Sequence, residues 1–322
     1  MFLTVLWFIV GLILLIKGGD WFVDGATGIA KRFRIPDILI GATVVSIGTT
    51  LPEVMVSATD AFAGHGQIAY GNAIGSIICN TALVAAVTVA LRPSRIERKS
   101  FILPVCVFFS AAALYSFVAY FFGEFSRIVG IILLAIFLSY IGASIYTALK
   151  SAKHDETTLD EPHEKKGLAL EIVMLVIGAA IIAFGADLLV DNGIIIAEAL
   201  GVPESVIGLT FIAIGTSLPE LVTAITSIAK GHGALSLGNV IGANILNLVL
   251  VSGVASVISP FPIPNGKQLF GINSSLVIDI PVMLSVMAIL TVPTLISRKL
   301  TRTQGILLLC IYVAFFAVQF II

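Results

Sequence analysis

The sequence predicts an all-α polytopic membrane protein with ten transmembrane helices in two inverted five-helix repeats, and three observations carry that reading. The 322 residues are 58% hydrophobic and 11% charged, with a mean hydropathy of +1.09, whereas soluble domains carry about 25% charged residues. Apolar runs of roughly 20 residues, enough to cross a hydrocarbon layer, recur along the whole chain. Residues 41–53, GATVVSIGTTLPE, return as residues 208–220, GLTFIAIGTSLPE. Pairing each position i with i+167 aligns 11–80 with 178–247 without a gap, and 27 of the 70 pairs are identical, which marks a duplication.

Composition excludes several function classes. A net charge of −1 with no large basic cluster argues against nucleic acid as a partner. Cys79, Cys106 and Cys310 sit in apolar runs at unrelated spacings, which suits neither a disulfide framework nor a zinc site. No Ser/His pair or H-E-x-x-H falls inside a helix, so no enzyme is expected and no cofactor is implied.

The first segment, 2–22, lacks a basic leading region and an A-x-A cleavage site, so it reads as a retained helix, with a bacterial or archaeal cell membrane as its setting. Lys17 near its end should snorkel or pair with Asp20. Asp20 and Asp24 should close this helix, and Asp187 and Asp191 the sixth, as caps or salt-bridge partners. Further spans are expected at 37–62, 67–91, 101–122, 127–149, 168–190, 205–229, 234–258, 274–296 and 304–322. Glycines around His65 and His232 join close neighbours. The polar stretch 150–167 links a first repeat at 1–149 to a second at 168–322, and lacks the D-x-[DN]-x-[DN]-G pattern of a calcium loop. Five helices separate equivalent points of the copies, so the second enters the membrane inverted. Fifteen Lys and Arg fall on one set of alternate loops, and only Arg127 and Lys267 on the other. Basic residues gather on the cytoplasmic side, so both termini should face outside.

Each copy places a glutamate, Glu53 or Glu220, beside a proline at membrane depth. A lone charge there costs at least about 2.5 kcal/mol and marks a functional site. Pro52 and Pro219 each remove an N–H donor, so the helix is expected to open near the carbonyls of Gly48 and Gly215. Hydroxyls of Thr49, Thr50, Thr216 and Ser217 stand beside them. The following helices bring Asn72, Ser76 and Asn80, and Asn239, Asn244 and Asn247. Ser76 and Asn80 share a face at a spacing of four, as do Ala243 and Asn247. Tight packing alone would explain glycines such as Gly41, Gly75, Gly208 and Gly242. It does not explain two glutamates in matched settings. The donor set is nearly all oxygen, the preference of hard cations such as Ca2+. Two carboxylates balance one divalent ion, or else monovalent ions or protons, and mutually exclusive occupancy makes an exchanger. A channel could use the same ligands but needs a continuous pore, whereas inverted repeats with interrupted helices typify secondary transporters.

The segments SIGTTLPE with GNAIGSIICN (within 41–81) and AIGTSLPE with GNVIGANILN (within 208–248) resemble the two alpha repeats of the sodium/calcium exchanger family of cation/calcium antiporters. The resemblance spans nearly the whole chain. It implies a multi-pass antiporter in the lipid bilayer that exports Ca2+ in exchange for Na+ by alternating access, the first and sixth helices sliding on the rest. It also implies a ligand set of Thr49, Thr50, Glu53, Ser76, Asn80, Thr216, Ser217, Glu220 and Asn247, with backbone carbonyls of Ser46 and Ala213. Two departures stand out: Asn247 where relatives often carry an acid, and Ala243 where a serine is expected. They make potassium dependence less expected and keep an H+/Ca2+ exchanger as the alternative.

Overall fold

The computed structural model describes residues 1–93, 95–154, 167–200, 215, 217–264, 268–269 and 271–321. Ten helices fall within them: α1 (Phe2–Arg32), α2 (Asp37–Phe62), α3 (Gly66–Leu91), α4 (Arg98–Phe121), α5 (Arg127–His154), α6 (Leu168–Ala199), α7 (Leu218–Ala229), α8 (Gly233–Ile258), α9 (Ser275–Ser297) and α10 (Arg302–Ile321). Nine are long and apolar enough to cross a membrane, while α7 has 12 described residues. The expected start of the seventh span at 205 and the linker residues 155–166 lie outside the described residues. Short strand pairs, β1 (Glu124–Phe125) with β2 (Phe261–Pro262) and β3 (Gln268–Leu269) with β4 (Ile272–Asn273), tie loops together.

Two expected boundaries are corrected. α1 and α6 run to 31 and 32 residues, about 46–48 Å at 1.5 Å per residue, well beyond a hydrocarbon core of about 30 Å. Hydropathy stops at the first polar residues, but helical hydrogen bonds do not. Asp20, Asp24, Asp187 and Asp191 are therefore inside helices and cap nothing.

α1 and α6 pack antiparallel over most of their length. Glycine at every seventh position makes this close approach feasible. A Cβ at Gly11 would lie 2.8 Å from the Leu189 nitrogen, one at Gly18 3.0 Å from that of Ile182, and one at Gly25 2.6 Å from the Glu171 carbonyl oxygen. Their shared core, with Leu15, Phe22, Val23 and Ile182, is separate from the main core of the other helices, which centres on α3, α4, α8 and α9. Large apolar side chains such as Phe2, Ile13 and Phe184 point outward from α1 and α6, as on a lipid-facing surface.

The expected opening at Pro52 does not occur. α2 stays α-helical from Ser46 to Phe62 across the proline. The proline φ of about −65° already suits a helix, and membrane helices tolerate the lost bond where neighbours compensate. The departure from α geometry lies upstream, in a π-helical turn at Gly41–Val45, where the Tyr140 hydroxyl donates to the Ala42 carbonyl at 2.6 Å. Pro219 instead sits in the first turn of α7, where a helix has no use for that N–H. Two further π-helical turns start at Asn80 and Asn247, equivalent positions of the repeat. Such turns commonly mark functional sites. The joints α2–α3 and α7–α8 are also matched: Gly64 and Gly231 take φ of +84° and +86°, which a residue without a Cβ adopts freely.

Candidate cation site at the crossing of α2, α3, α7 and α8

Helical spacing alone lines up the inner face of α2. Ser46, Thr49, Thr50, Glu53 and Ser57 recur every three or four residues, and all are buried. On α7 the same spacing brings Glu220, Thr223 and Ser227 inward. α3 adds Ser76 and Asn80, and α8 adds Asn239, Asn244 and Asn247, again buried. Close contact between α2 and α8 needs glycine: a Cβ at Gly242 would meet the Ala42 carbonyl at 2.6 Å, and Gly238 leaves still less room against Ile38. By contrast Gly75 has open space around it, so packing does not account for that glycine, and Gly208 is outside the described residues.

Glu53 and Glu220 have no solvent exposure. Among the described residues neither pairs with a Lys, Arg or His. Thr50 Oγ1 approaches Glu220 Oε1 at 3.5 Å, a marginal contact. Among the described residues both oxygens of Glu53, Oε2 of Glu220, both amide atoms of Asn80 and of Asn247, and the hydroxyl of Thr223 find no hydrogen-bond partner. Native proteins satisfy about 90% or more of their buried polar groups. An unpaired buried carboxylate costs several kcal/mol. This many unpaired oxygens, gathered from four helices at two repeated positions, fit a cation.

The surrounding hydrogen bonds fix the buried polar side chains. Asn72 donates to the Glu53 carbonyl at 3.3 Å and to Ser57 Oγ at 2.9 Å, and Ser76 Oγ donates to Asn72 Oδ1 at 3.4 Å. Thr49 Oγ1 lies 3.2 Å from Asn239 Oδ1 and 3.4 Å from the Ser46 carbonyl. Asn244 is occupied at its nitrogen, with Nδ2 donating to Thr81 Oγ1 at 2.7 Å and 3.2 Å from Met287 Sδ, while its Oδ1 has no partner among the described residues. Among the described residues no three His, Cys, Asp or Glu cluster as a metal site, so a cation held here would take hydroxyl and amide oxygens beside the two carboxylates.

Of the sequence-predicted ligands, Thr49, Thr50, Glu53, Ser76, Asn80, Ser217, Glu220 and Asn247 are all buried in this region. Ala213 and Thr216 lie outside the described residues. Thr223 was missed, although its place three residues after Glu220 puts it on the same face. Asn239 was read as an inward amide but not as a partner of Thr49. Behind the prolines, an apolar groove of about 780 Å3 between α2 and α6 reaches Gly48, Pro52, Gly215 and Pro219, with Asp187 and Asp191 also in its lining.

The chain matches the family model described as sodium/calcium exchanger protein over residues 3–146 and 170–321. It is 32% identical to the sodium/calcium exchanger MaX1 of Methanosarcina acetivorans, over 98% of this chain and 97% of that protein. It is 34% identical to an uncharacterized membrane protein of Methanocaldococcus jannaschii, over 95% of each. Among solved structures, the sodium-calcium exchanger NCX_Mj soaked with sodium and strontium superposes with a TM-score of 0.81, at 33% identity and 98% coverage of both chains.

Proposed function

The chain belongs to the sodium/calcium exchanger family and is a cation/Ca2+ antiporter, and from that premise we propose that it exports Ca2+ in exchange for Na+ by alternating access at the Glu53–Glu220 site. The observation that carries this reading is the paired burial of two glutamates, three of whose four carboxylate oxygens, with the amide oxygens of Asn80 and Asn247, lack hydrogen-bond partners among the described residues. Two carboxylates balance one Ca2+, or sodium ions that take its place. Ligands are Thr49, Thr50, Glu53, Ser76, Asn80, Ser217, Glu220 and Asn247, joined by Thr216 and the Ser46 and Ala213 carbonyls. Because the oxygens come from several helices, a shift of one helix group remakes the shell from the other side.

The halves 1–149 and 168–322 act as inverted repeats in the cell membrane, with both termini outside. Antiparallel α1 and α6, equivalent by the 167-residue offset, support the inversion. The basic residues Lys31, Arg32, Arg92, Lys230 and Arg298 at matching helix ends support the orientation.

Reconstituted vesicles loaded with sodium should take up radioactive calcium when diluted into sodium-free medium. Uptake driven by a pH gradient and indifferent to sodium would replace the sodium reading with the H+/Ca2+ one, since a pair of buried carboxylates can also carry protons. Calcium flux that needs no counter-gradient and does not saturate would indicate a channel.

A further inference from the structure

Two ion-pair clusters hold α1, and they differ in what they join. Arg32, at the end of α1, meets Glu171 in the first turn of α6, with Nε 2.9 Å from Oε2 and Nη2 3.2 Å from Oε1. That clasp lies within the α1–α6 pair, whose helices already touch backbone to backbone. Lys230, in the turn between α7 and α8, reaches across from the main body instead. Its Nζ lies 2.7 Å from Asp24 Oδ1 and 3.3 Å from Asp20 Oδ1, and donates to the Asp20 carbonyl at 2.9 Å.

The duplication supplies an internal control. Asp20 and Asp24 recur on α6 as Asp187 and Asp191, but the position matching Lys230, in the α2–α3 turn, is Ala63. Among the described residues Asp187 and Asp191 form no ion pair, and they border the groove that runs toward the two prolines. One end of the molecule is clasped, and its pseudo-symmetric counterpart has the acids without the base.

We propose that Lys230 is a one-sided latch: its bonds to α1 favour the conformer in which the α1–α6 pair is drawn against the α7–α8 turn, with the cation site reached from the Asp187 and Asp191 end. This rests on the alternating-access reading. The duplicated fold would otherwise give two nearly equivalent states, and a single lysine breaks the tie. Partly exposed ion pairs are individually weak, so the latch biases the equilibrium without locking it.

The test is a distance measurement by pulsed electron paramagnetic resonance in full-length protein in lipid vesicles. Spin labels are placed at the exposed Lys31 on α1 and Lys99 on α4, with Cys106 and Cys310 replaced by serine. Lys230→Met should raise the population of a second distance about three- to tenfold, the range that two weak ion pairs give, and Asp24→Asn, which removes one of the two, about two- to fivefold. Lys230→Arg should restore the parent distribution, and Asp187→Asn should leave it unchanged. Identical distributions for Lys230→Met, Asp24→Asn and parent would overturn the latch. Sodium-driven calcium uptake is measured on the same vesicles. Its absence with distances that still respond would sink the transport reading and leave the latch standing.

Discussion

At the scale of single residues, the glutamates set the behaviour of the site. Among the described residues each is buried with no protein cation beside it, so replacing it with a neutral isostere should remove the cost of burying an unpaired carboxyl in the ion-free protein. Glu53→Gln and Glu220→Gln should each reduce calcium exchange by about 100-fold or more, while the ion-free melting temperature holds or rises. The calcium-induced rise in melting temperature should disappear in both. A variant that melts like the parent and still exchanges normally would remove that glutamate from the site. Asn72 acts one step back, through bonds to the Glu53 carbonyl and to Ser57. Asn72→Ala should weaken apparent calcium affinity by up to about tenfold, matching about 0.5–1.5 kcal/mol per net hydrogen bond. The maximal exchange rate of the folded variant should change much less. The two buried glutamates were legible in the sequence because they repeat in matched settings. Thr223 was not, because its counterpart in the first repeat is Val56.

At the scale of elements, the helices are held by close backbone contact more than by large side chains. Gly238 on α8 faces the Ile38 backbone on α2, where a methyl group has no room. Gly238→Ala should therefore destabilise the protein by about 1–3 kcal/mol, the cost of overpacking a filled interface. Gly75 on α3 has nothing within 4 Å of an added Cβ, and Gly75→Ala should be neutral or stabilising by up to about 1 kcal/mol. Unfolding in detergent compares the two, and equal losses would contradict this account of α2–α8 contact. Sequence alone expected tight packing at Gly75 and Gly242 alike, but only Gly242 meets a neighbouring backbone, because a Gly in an apolar helix does not reveal which neighbour it faces. It also placed a break at Pro52 that is absent: proline announces a missing donor, but neighbouring helices decide whether the backbone bends.

At the scale of the whole molecule, the proposed site draws its oxygens from four helices, so ion binding there would be linked thermodynamically to tertiary structure. Saturating calcium should stabilise the protein by RT ln(1+[Ca2+]/Kd), about 2.7 kcal/mol at a hundredfold excess over Kd. Sodium should do the same through the same oxygens, and the two stabilisations should not add. Additive shifts in calorimetry would point to separate sites and against exchange by competition.

The sequence by itself determined the membrane class, the duplication and the placement of two glutamates at matched positions of the repeat, because these depend on composition and on repetition along the chain. Tertiary structure decided what depends on neighbours. It set the full lengths of α1 and α6, the continuity of α2 through Pro52, the π-helical turns at Asn80 and Asn247, and the selection of Lys230 as the base for Asp20 and Asp24. Residues 206 to 210 positions apart in the chain met there, and local periodicity carries no information about contacts at that range.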